Sequence, residues 1–245
     1  MFFIIGAVFG SFFNVVGLRV PLKRSFVQGR SACPHCNVTL KWLHLMPIVS
    51  YLLQRRKCPY CKMTIPIIYV VTECMTAALF SYSFIMFGYS VELINALLLI
   101  SMLMIIFVSD MTYMVIPNKI LLFFLLLFMS IRLWMLPDSF LMAVFGAFVG
   151  YSFIAVIILF SQGGMGAGDM KLFGVLGFIL GWKYVLITFF IAVFIGGILS
   201  VIYLLRKKIK SNEAIPFGPF IVVGALMTFF KGDVFLNFYL QFFVS

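Results

Sequence analysis

Two aspartates stand out in a chain of 245 residues that holds only seven acidic side chains. Asp169 ends the glycine-rich run 163–169, which lies between two long apolar segments. Asp110 closes another apolar segment, and Pro117 and Asn118 then mark the turn into the next one. Ionisable side chains at membrane depth are costly and usually functional. Both acids are therefore candidate site residues, although two unrelated acids at the membrane interface would give the same pattern.

A pair of carboxylates would give these acids a defined chemistry. Like charges about 3 Å apart do not both ionise, so the two groups share one proton. The ionised acid takes a proton from water, and the protonated acid polarises the carbonyl group that the water attacks. Such a pair hydrolyses a carbonyl compound without a covalent intermediate, so it needs no nucleophilic Ser or Cys. A transporter that uses Asp110 and Asp169 as proton or ion sites is the competing interpretation.

A second chemical constellation is a pair of CxxC motifs in the segment 21–64. The 21 residues between the two motifs fit a site in which four thiolates hold one zinc ion. The segment is too small to build a core, so a structural metal would supply its folding energy. Thiol redox chemistry at the two motifs is the alternative. The predicted metal ligands are Cys33, Cys36, Cys58 and Cys61, with His35 and His44 as spare candidates.

Three polar side chains lie inside predicted membrane helices. Ser11 and Asn14 are three residues apart, and they either hydrogen-bond a neighbouring helix or take part in substrate handling. Glu73 needs a partner or water at its depth, so it serves either a structural ion pair or the site. Its neighbour Cys74 is predicted to be a small packing residue.

These residues are positioned by a chain with the composition of a membrane protein. It is 64% hydrophobic and 10% charged, whereas soluble domains are nearer half apolar and a quarter charged. A span needs about 20 apolar residues. The sixth apolar segment is short, and its merger with the seventh around Gly181 would give seven spans. The C-terminal run 234–244 is too short to span and is predicted at the interface. The sequence predicts about eight spans, at 2–18, 65–88, 91–109, 118–136, 139–160, 170–181, 183–205 and 216–231.

The distribution of basic residues predicts the topology. With the N-terminus outside, 15 of the 18 Lys and Arg side chains fall on the interior side. Orientation and contact with anionic lipid headgroups therefore explain the net charge of +11, and nucleic-acid binding is not expected. In this orientation the segment 21–64, Asp110 and Asp169 all lie at the cytosolic face. Stable disulfides are rare in the cytosol, which favours zinc at the cysteines.

Taken in order, these motifs resemble those of the type IV prepilin peptidases, also called prepilin leader peptidase/N-methyltransferases. The run 166–169 (GAGD) looks like the GxGD motif of intramembrane aspartic proteases. The runs 10–16 (GSFFNVV) and 215–219 (IPFGP), the paired CxxC motifs, and Asp110 seven residues before Pro117 complete the set. The resemblance covers nearly the whole chain, and competence-type members of Gram-positive bacteria look closest.

The resemblance implies a function. Asp110 and Asp169 would be the catalytic pair of an aspartic endopeptidase, while Thr112 stands where many family members carry another acid. The family cleaves the leader of type IV prepilins, or of pilin-like competence and secretion proteins, after a Gly at the cytosolic face. It then N-methylates the new N-terminus with S-adenosylmethionine, for which the sequence identifies no binding residues.

The sequence thus predicts an all-α polytopic protein of the bacterial cell membrane. A first transmembrane helix would occupy residues 1–20, a cytosolic zinc-knuckle domain 21–64, and a transmembrane aspartic peptidase domain 65–245. The expected partners are type IV prepilin or pseudopilin precursors and membrane lipid.

Overall fold

The computed structural model describes residues 1–25, 36, 38–39, 46–135, 140–161, 165–205 and 215–244. The elements within these ranges are helices, and an isolated antiparallel bridge joins Lys57 to Thr64. The described helices are α1 (Phe2–Arg19), α2 (Val49–Leu53), α3 (Ile68–Phe87), α4 (Val91–Tyr113), α5 (Asn118–Met135), α6 (Phe140–Phe160), α7 (Ala167–Leu180), α8 (Trp182–Leu205) and α9 (Gly218–Val244).

The eight apolar segments predicted from the sequence all form helices. Six of these are long and apolar enough to cross a membrane: α1, α3, α4, α6, residues Trp182–Ile202 of α8 and residues Gly218–Asn237 of α9. The chain is therefore a multi-pass membrane protein, while the count of eight spans stays a prediction. α7 has 14 residues and rises about 21 Å, short of the roughly 30 Å hydrocarbon core.

The connection between α7 and α8 shows that the sixth and seventh apolar segments form two helices and not one merged helix. Gly181 has φ +89°, a left-handed conformation that ends α7, and its N–H donates to the carbonyl of Gly177. The predicted end of the last span at residue 231 coincides with a kink in α9. Lys231 has a non-helical backbone conformation with φ −137°, and the run 234–244 is helical beyond it.

The chain divides into two compact units, residues 1–112 and 113–245. In the first unit α1 packs closely on α3. A Cβ atom on Gly6 would lie 2.7 Å from the Cα of Ala77, and one on Gly10 would lie 2.8 Å from the Cα of Glu73. Small residues at these positions let the two backbones meet, as at many membrane helix interfaces. The domain boundaries after residues 20 and 64 stay predictions.

In the second unit α6 and α7 form an equally close pair. A Cβ atom on Gly146 would overlap the carbonyl oxygen of Gly177, and the reverse also holds. One turn along, Gly150 faces the backbone of Phe173 in the same way. α7 is thus fixed against a long membrane helix along most of its length. This packing positions the first turn of α7, which carries Asp169.

Candidate active site

Asp169 lies in the first turn of α7, three residues after the N-cap Gly166. One of its carboxylate oxygens, Oδ2, accepts a 3.1 Å hydrogen bond from the Gly166 N–H. The side chain is only 8% exposed. The sequence placed this acid in the loop before the helix, and the structure corrects that placement. The helix begins earlier because the Asp169 carboxylate satisfies an N–H at its start.

The glycines around Asp169 have steric roles. A Cβ atom on Gly166 would lie 3.3 Å from Asp169 Oδ2, so its absence leaves room for the carboxylate over the N-cap. A Cβ atom on Gly168 would lie 3.1 Å from the Cβ of Ile116. Lys171 Nζ lies 3.1 Å from Asn118 Oδ1, which ties the start of α7 to the start of α5. The GxGD pattern therefore encodes a tightly packed helix start that holds its acid in a fixed position.

Asp110 lies in the last turn of α4, and its side chain is 5% exposed. The preceding Ser109 is fully buried. Thr112 Oγ1 donates to the carbonyl of Val108, at 2.8 Å, in its own helix. A threonine hydroxyl does not ionise as a carboxylic acid does, so Thr112 adds no further carboxylate beside Asp110. Val108 in turn packs on Gly17 of α1.

The two acids thus share several features, each within its own compact unit. Both are buried, both lie at a helix end, and each stands beside a short connecting segment. Asp110 belongs to the first unit and Asp169 to the second. Their pairing as a catalytic dyad stays a prediction.

Three of the four predicted metal ligands come together. The sulfur atoms of Cys36, Cys58 and Cys61 all lie within 4.8 Å of one another. All three are free thiols, and Cys58 is 2% exposed. Tetrahedral zinc with Zn–S bonds of about 2.3 Å brings its sulfurs about 3.8 Å apart, so the cluster fits such an ion with little adjustment. Cys33, His35 and His44 lie outside the described residues.

A tight turn presents Cys58 and Cys61. The N–H of Cys58 donates to the carbonyl of Met63 at 2.9 Å, and the N–H of Lys62 donates to the carbonyl of Cys58 at 3.0 Å. Lys62 has φ +59°, as a turn that folds back on itself requires. These backbone bonds hold both thiols of the second CxxC motif on one side of the turn.

Glu73 has neutral partners among the described residues. Its carboxylate accepts a 2.7 Å bond from the N–H of Ile48 and a hydrogen bond from the Ser11 hydroxyl. The ion pair that the sequence offered as one explanation is not formed with any described side chain. The sequence also missed α2, whose N-cap is Ile48. No periodicity signals a helix of five residues that is fixed by a distant carboxylate.

Comparison with known proteins bears on both units. A family model described as "Bacterial Peptidase A24 N-terminal domain" matches residues 4–87, and one described as "Type IV leader peptidase family" matches residues 97–201. A Bacillus subtilis (strain 168) protein named "Prepilin leader peptidase/N-methyltransferase" is 40% identical over 98% of this chain and 96% of its own. The chain belongs to the type IV leader peptidase family.

More distant relatives carry the same name. The Legionella pneumophila protein is 30% identical over 89% of this chain and 78% of its own length. The Pseudomonas aeruginosa protein is 32% identical over 98% and 92%. No solved structure gave a significant match. In this family member, the leader-peptidase match contains both Asp110 and Asp169, and the N-terminal match contains the cysteines and Glu73.

Proposed function

We propose that the chain cleaves the leader peptide from type IV prepilins or pilin-like competence and secretion proteins, after a Gly at the cytosolic face, and then N-methylates the new N-terminus. The strongest support is the 40% identity, over 98% of the chain, to a relative whose name gives both activities. The two buried acids at helix ends supply a chemical basis for cleavage.

Asp110 and Asp169 are proposed as the carboxylate pair that activates water. The helix ends on which they lie have opposite polarity. Asp169 sits at the N-terminus of α7, where backbone N–H groups carry positive partial charge, and Asp110 sits at the carbonyl end of α4. This asymmetry suits Asp169 as the charged acid that takes a proton from water. Asp110 then keeps the shared proton and polarises the scissile carbonyl.

The cysteine cluster is proposed as a structural zinc site. The spacing of the Cys36, Cys58 and Cys61 sulfurs fits zinc, and Cys33 is the proposed fourth ligand because it completes the first CxxC motif. A closed four-thiolate site leaves no open position for catalysis. Its contribution would be the free energy of folding the segment between α1 and α3.

The second half of the reaction needs a methyl donor. S-adenosylmethionine, when bound, supplies an electrophilic methyl group on a sulfonium centre. The protein must hold the amine that cleavage releases and keep water away from it.

The proposed location is the bacterial cell membrane, with the N-terminus outside and the active site facing the cytosol. The basis is the bias of 15 of 18 basic residues toward one side. The same bias accounts for the net positive charge through anionic lipid, so nucleic acid is not a proposed partner. A substrate whose cleavage point lies at the edge of its own hydrophobic helix would reach a site at this depth.

The two competing functions have less support. A thiol-redox protein would use the CxxC motifs, and a proton-coupled transporter would use the two acids as ion sites. Neither accounts for the similarity of both units to the leader peptidase family.

A direct assay tests the proposal. The purified protein in lipid is incubated with a prepilin-like peptide that contains leader and mature N-terminus, with S-adenosylmethionine present, and the products are read by mass spectrometry. The expected result is cleavage after Gly and a gain of one methyl group on the new N-terminus. An uncleaved peptide with folded protein would contradict the proposal.

A further inference from the structure

A cluster of polar side chains lies between α1 and α3 in the first unit, apart from the acids assigned to cleavage. It is formed by Ser11 and Asn14 on α1 and by Glu73 on α3. Glu73 is 7% exposed and Asn14 is 4% exposed, both within otherwise apolar helices. Burial of such groups is unfavourable unless they are paired, so their partners decide what the cluster does.

Glu73 is a carboxylate without a cationic partner in the described part of the chain. Its two contacts are the Ile48 N–H at 2.7 Å and the Ser11 hydroxyl. An ionised carboxylate offers about four acceptor sites. Two neutral donors leave acceptor capacity at this group, and its ionised form would carry a negative charge with no cation beside it among the described residues.

Asn14 adds a second acceptor. Its Nδ2 donates to the carbonyl oxygen of Tyr69, at 3.1 Å. That bond fixes the orientation of the amide, because a flipped amide would set two oxygens against each other. The other amide atom, Oδ1, is buried and has no hydrogen-bond partner among the described residues. A buried acceptor without a donor is unfavourable, and a ligand with an N–H group would satisfy it.

The two acceptors, on Glu73 and Asn14, belong to successive contacts between α1 and α3. Ser11 and Asn14 are three residues apart on α1, and Tyr69 and Glu73 are four apart on α3, so each pair lies on one helix face. The contacts Ser11–Glu73 and Asn14–Tyr69 therefore follow one another at a spacing of about one helical turn, roughly 5–6 Å. The cluster therefore places the Glu73 carboxylate and the Asn14 amide about one helical turn apart at the α1–α3 interface.

The cluster is also held rigidly. Ile48 has φ +62° and ψ −53°, a conformation that is unfavourable for a β-branched residue. Such strain persists where surrounding contacts enforce it. The hydrogen bond from the Ile48 N–H to Glu73 is one contact that holds Ile48 in this conformation. The bond fixes one carboxylate oxygen in advance of any ligand.

We infer that the Ser11–Asn14–Glu73 cluster is a binding site for an alkylammonium group. A primary ammonium carries three N–H donors and one positive charge, which match the acceptors and the charge of the cluster. This inference rests on the proposed function, in which two such groups occur. One is the α-ammonium group that cleavage creates on the mature pilin, and the other is the amino group of S-adenosylmethionine.

The position of Glu73 along α3 fits a group that is released by cleavage. α3 and α4 are joined by the three residues 88–90, so the start of α3 and the end of α4 lie away from that loop. Glu73 is near the start of α3 and Asp110 near the end of α4. An amine released at the Asp110 end of the helices would thus lie at the membrane face that bears Glu73.

The test measures binding to the full chain in lipid nanodiscs. A fluorescent peptide with the mature N-terminal sequence of a prepilin-like substrate is compared with its N-acetylated form, and S-adenosylmethionine binding is measured by equilibrium dialysis. The variants are Glu73→Gln, which keeps an acceptor for Ile48, and Asn14→Leu. The matched controls are Glu92→Gln, an exposed acid of α4, and Asn95→Leu in the same helix.

The expected result is that Glu73→Gln weakens binding of the free-amine peptide about tenfold and leaves the acetylated peptide unaffected. Asn14→Leu should act in the same direction, and both controls should match the unmodified chain. A tenfold loss confined to S-adenosylmethionine would also support the ammonium site and would assign it to the methyl donor. Unchanged binding of both ligands in Glu73→Gln would overturn the inference.

The cleavage assay separates this inference from the proposed function. Methylation is also measured with a peptide that is already cleaved, so that it does not depend on the cleavage rate, and it should fall in Glu73→Gln. Methylation of this peptide at the normal rate by Glu73→Gln would contradict the inference. If the unmodified chain does not cleave, the proposed function fails, and the binding comparison still decides whether an ammonium site exists.

Discussion

Arg132 Nη2 on α5 donates a 2.9 Å hydrogen bond to the carbonyl oxygen of Ile179 in the last turn of α7. Its guanidinium also lies 5.6 Å from the ring centroid of Phe178. The last carbonyls of a helix have no partner within that helix, and a cation there also complements the helix dipole. α7 is too short to be held by both membrane surfaces, so this contact and the glycine contacts with α6 fix the helix that carries Asp169.

Replacing Arg132 therefore tests how α7 is held. Arg132→Leu should lower the free energy of unfolding by about 1.5–3 kcal/mol, since it leaves a carbonyl without its charged donor. The stability of Arg132→Lys should lie between those of the unmodified chain and Arg132→Leu. Lys keeps the positive charge but lacks the planar guanidinium group with its several N–H donors. The measurement is thermal unfolding in detergent micelles. Lys183→Leu is the control, because Lys183 is exposed and its contact is with the neighbouring Trp182 ring. Equal stability of Arg132→Leu and Lys183→Leu would show that the Arg132 contact does not hold α7.

The contact between α6 and α7 makes a steric prediction. Gly146→Ala places a methyl group on the carbonyl oxygen of Gly177, and relieving that overlap should cost about 1–3 kcal/mol in stability. Gly197→Ala in α8 meets nothing within 4 Å and should be neutral, or stabilising by up to about 1 kcal/mol. Thermal unfolding of the two variants provides the comparison. A Gly146→Ala protein as stable as Gly197→Ala would mean that the helices do not meet at these glycines.

The cysteine cluster predicts a measurable metal content. Protein purified without chelator should contain about one zinc ion per chain by elemental analysis. Cys58→Ser and Cys61→Ser should lose the metal and reduce the amount of folded protein more than the cleavage rate per folded molecule. Cys74→Ser is the matched control, since Cys74 is an exposed free thiol of α3 outside the cluster. Metal-free unmodified protein, or equal zinc loss in the control, would count against a zinc site.

Labelling of cysteines tests the proposed orientation. A membrane-impermeant thiol reagent added to intact cells should leave Cys58 and Cys61 unmodified, because the predicted topology puts them in the cytosol. A cysteine introduced at the exposed Tyr89, in the loop between α3 and α4, should react from outside. Lysed, chelator-treated cells show that the native cysteines react when they are accessible. Labelling of Cys58 in intact cells would show that the topology is the reverse of the predicted one. Asp110 and Asp169 would then face the outside and not the cytosol.

The sequence was a good guide where long apolar runs decide structure. Every predicted span became a helix, because about 20 apolar residues in a row have few alternatives in a membrane. The sequence was a poor guide where a single side-chain hydrogen bond decides where a helix begins. The start of α7 at Ala167 depends on the bond from the Gly166 N–H to Asp169, and α2 depends on the bond from Ile48 to Glu73.

The candidate site, like the fold, was predicted in part. The spacing of the CxxC motifs was enough to predict the cluster of Cys36, Cys58 and Cys61. Spacing also marked Ser11 and Asn14 as a pair, and Asn14 does bond the neighbouring helix. The unpaired Asn14 Oδ1 had no signal in the sequence, because the register of α1 on α3 determines which atom finds a partner.

The central claim is that Asp110 and Asp169 act as one unit. Asp110→Asn and Asp169→Asn should each abolish leader cleavage, because Asn does not ionise. Membrane insertion and stability should stay unchanged, because Asn keeps the size of Asp. The double variant should be scarcely worse than either single variant, as is found for residues that act together. Asp138→Asn and Asp233→Asn, on the predicted outer side, serve as controls and should cleave at nearly the normal rate.

The most direct measurement is the single-turnover cleavage rate of a prepilin-like peptide by these variants in lipid, at matched amounts of folded protein. The account predicts no detectable cleavage by Asp110→Asn, by Asp169→Asn or by the double variant, and near-normal rates in both controls. Substantial cleavage by either single variant would contradict the carboxylate pair.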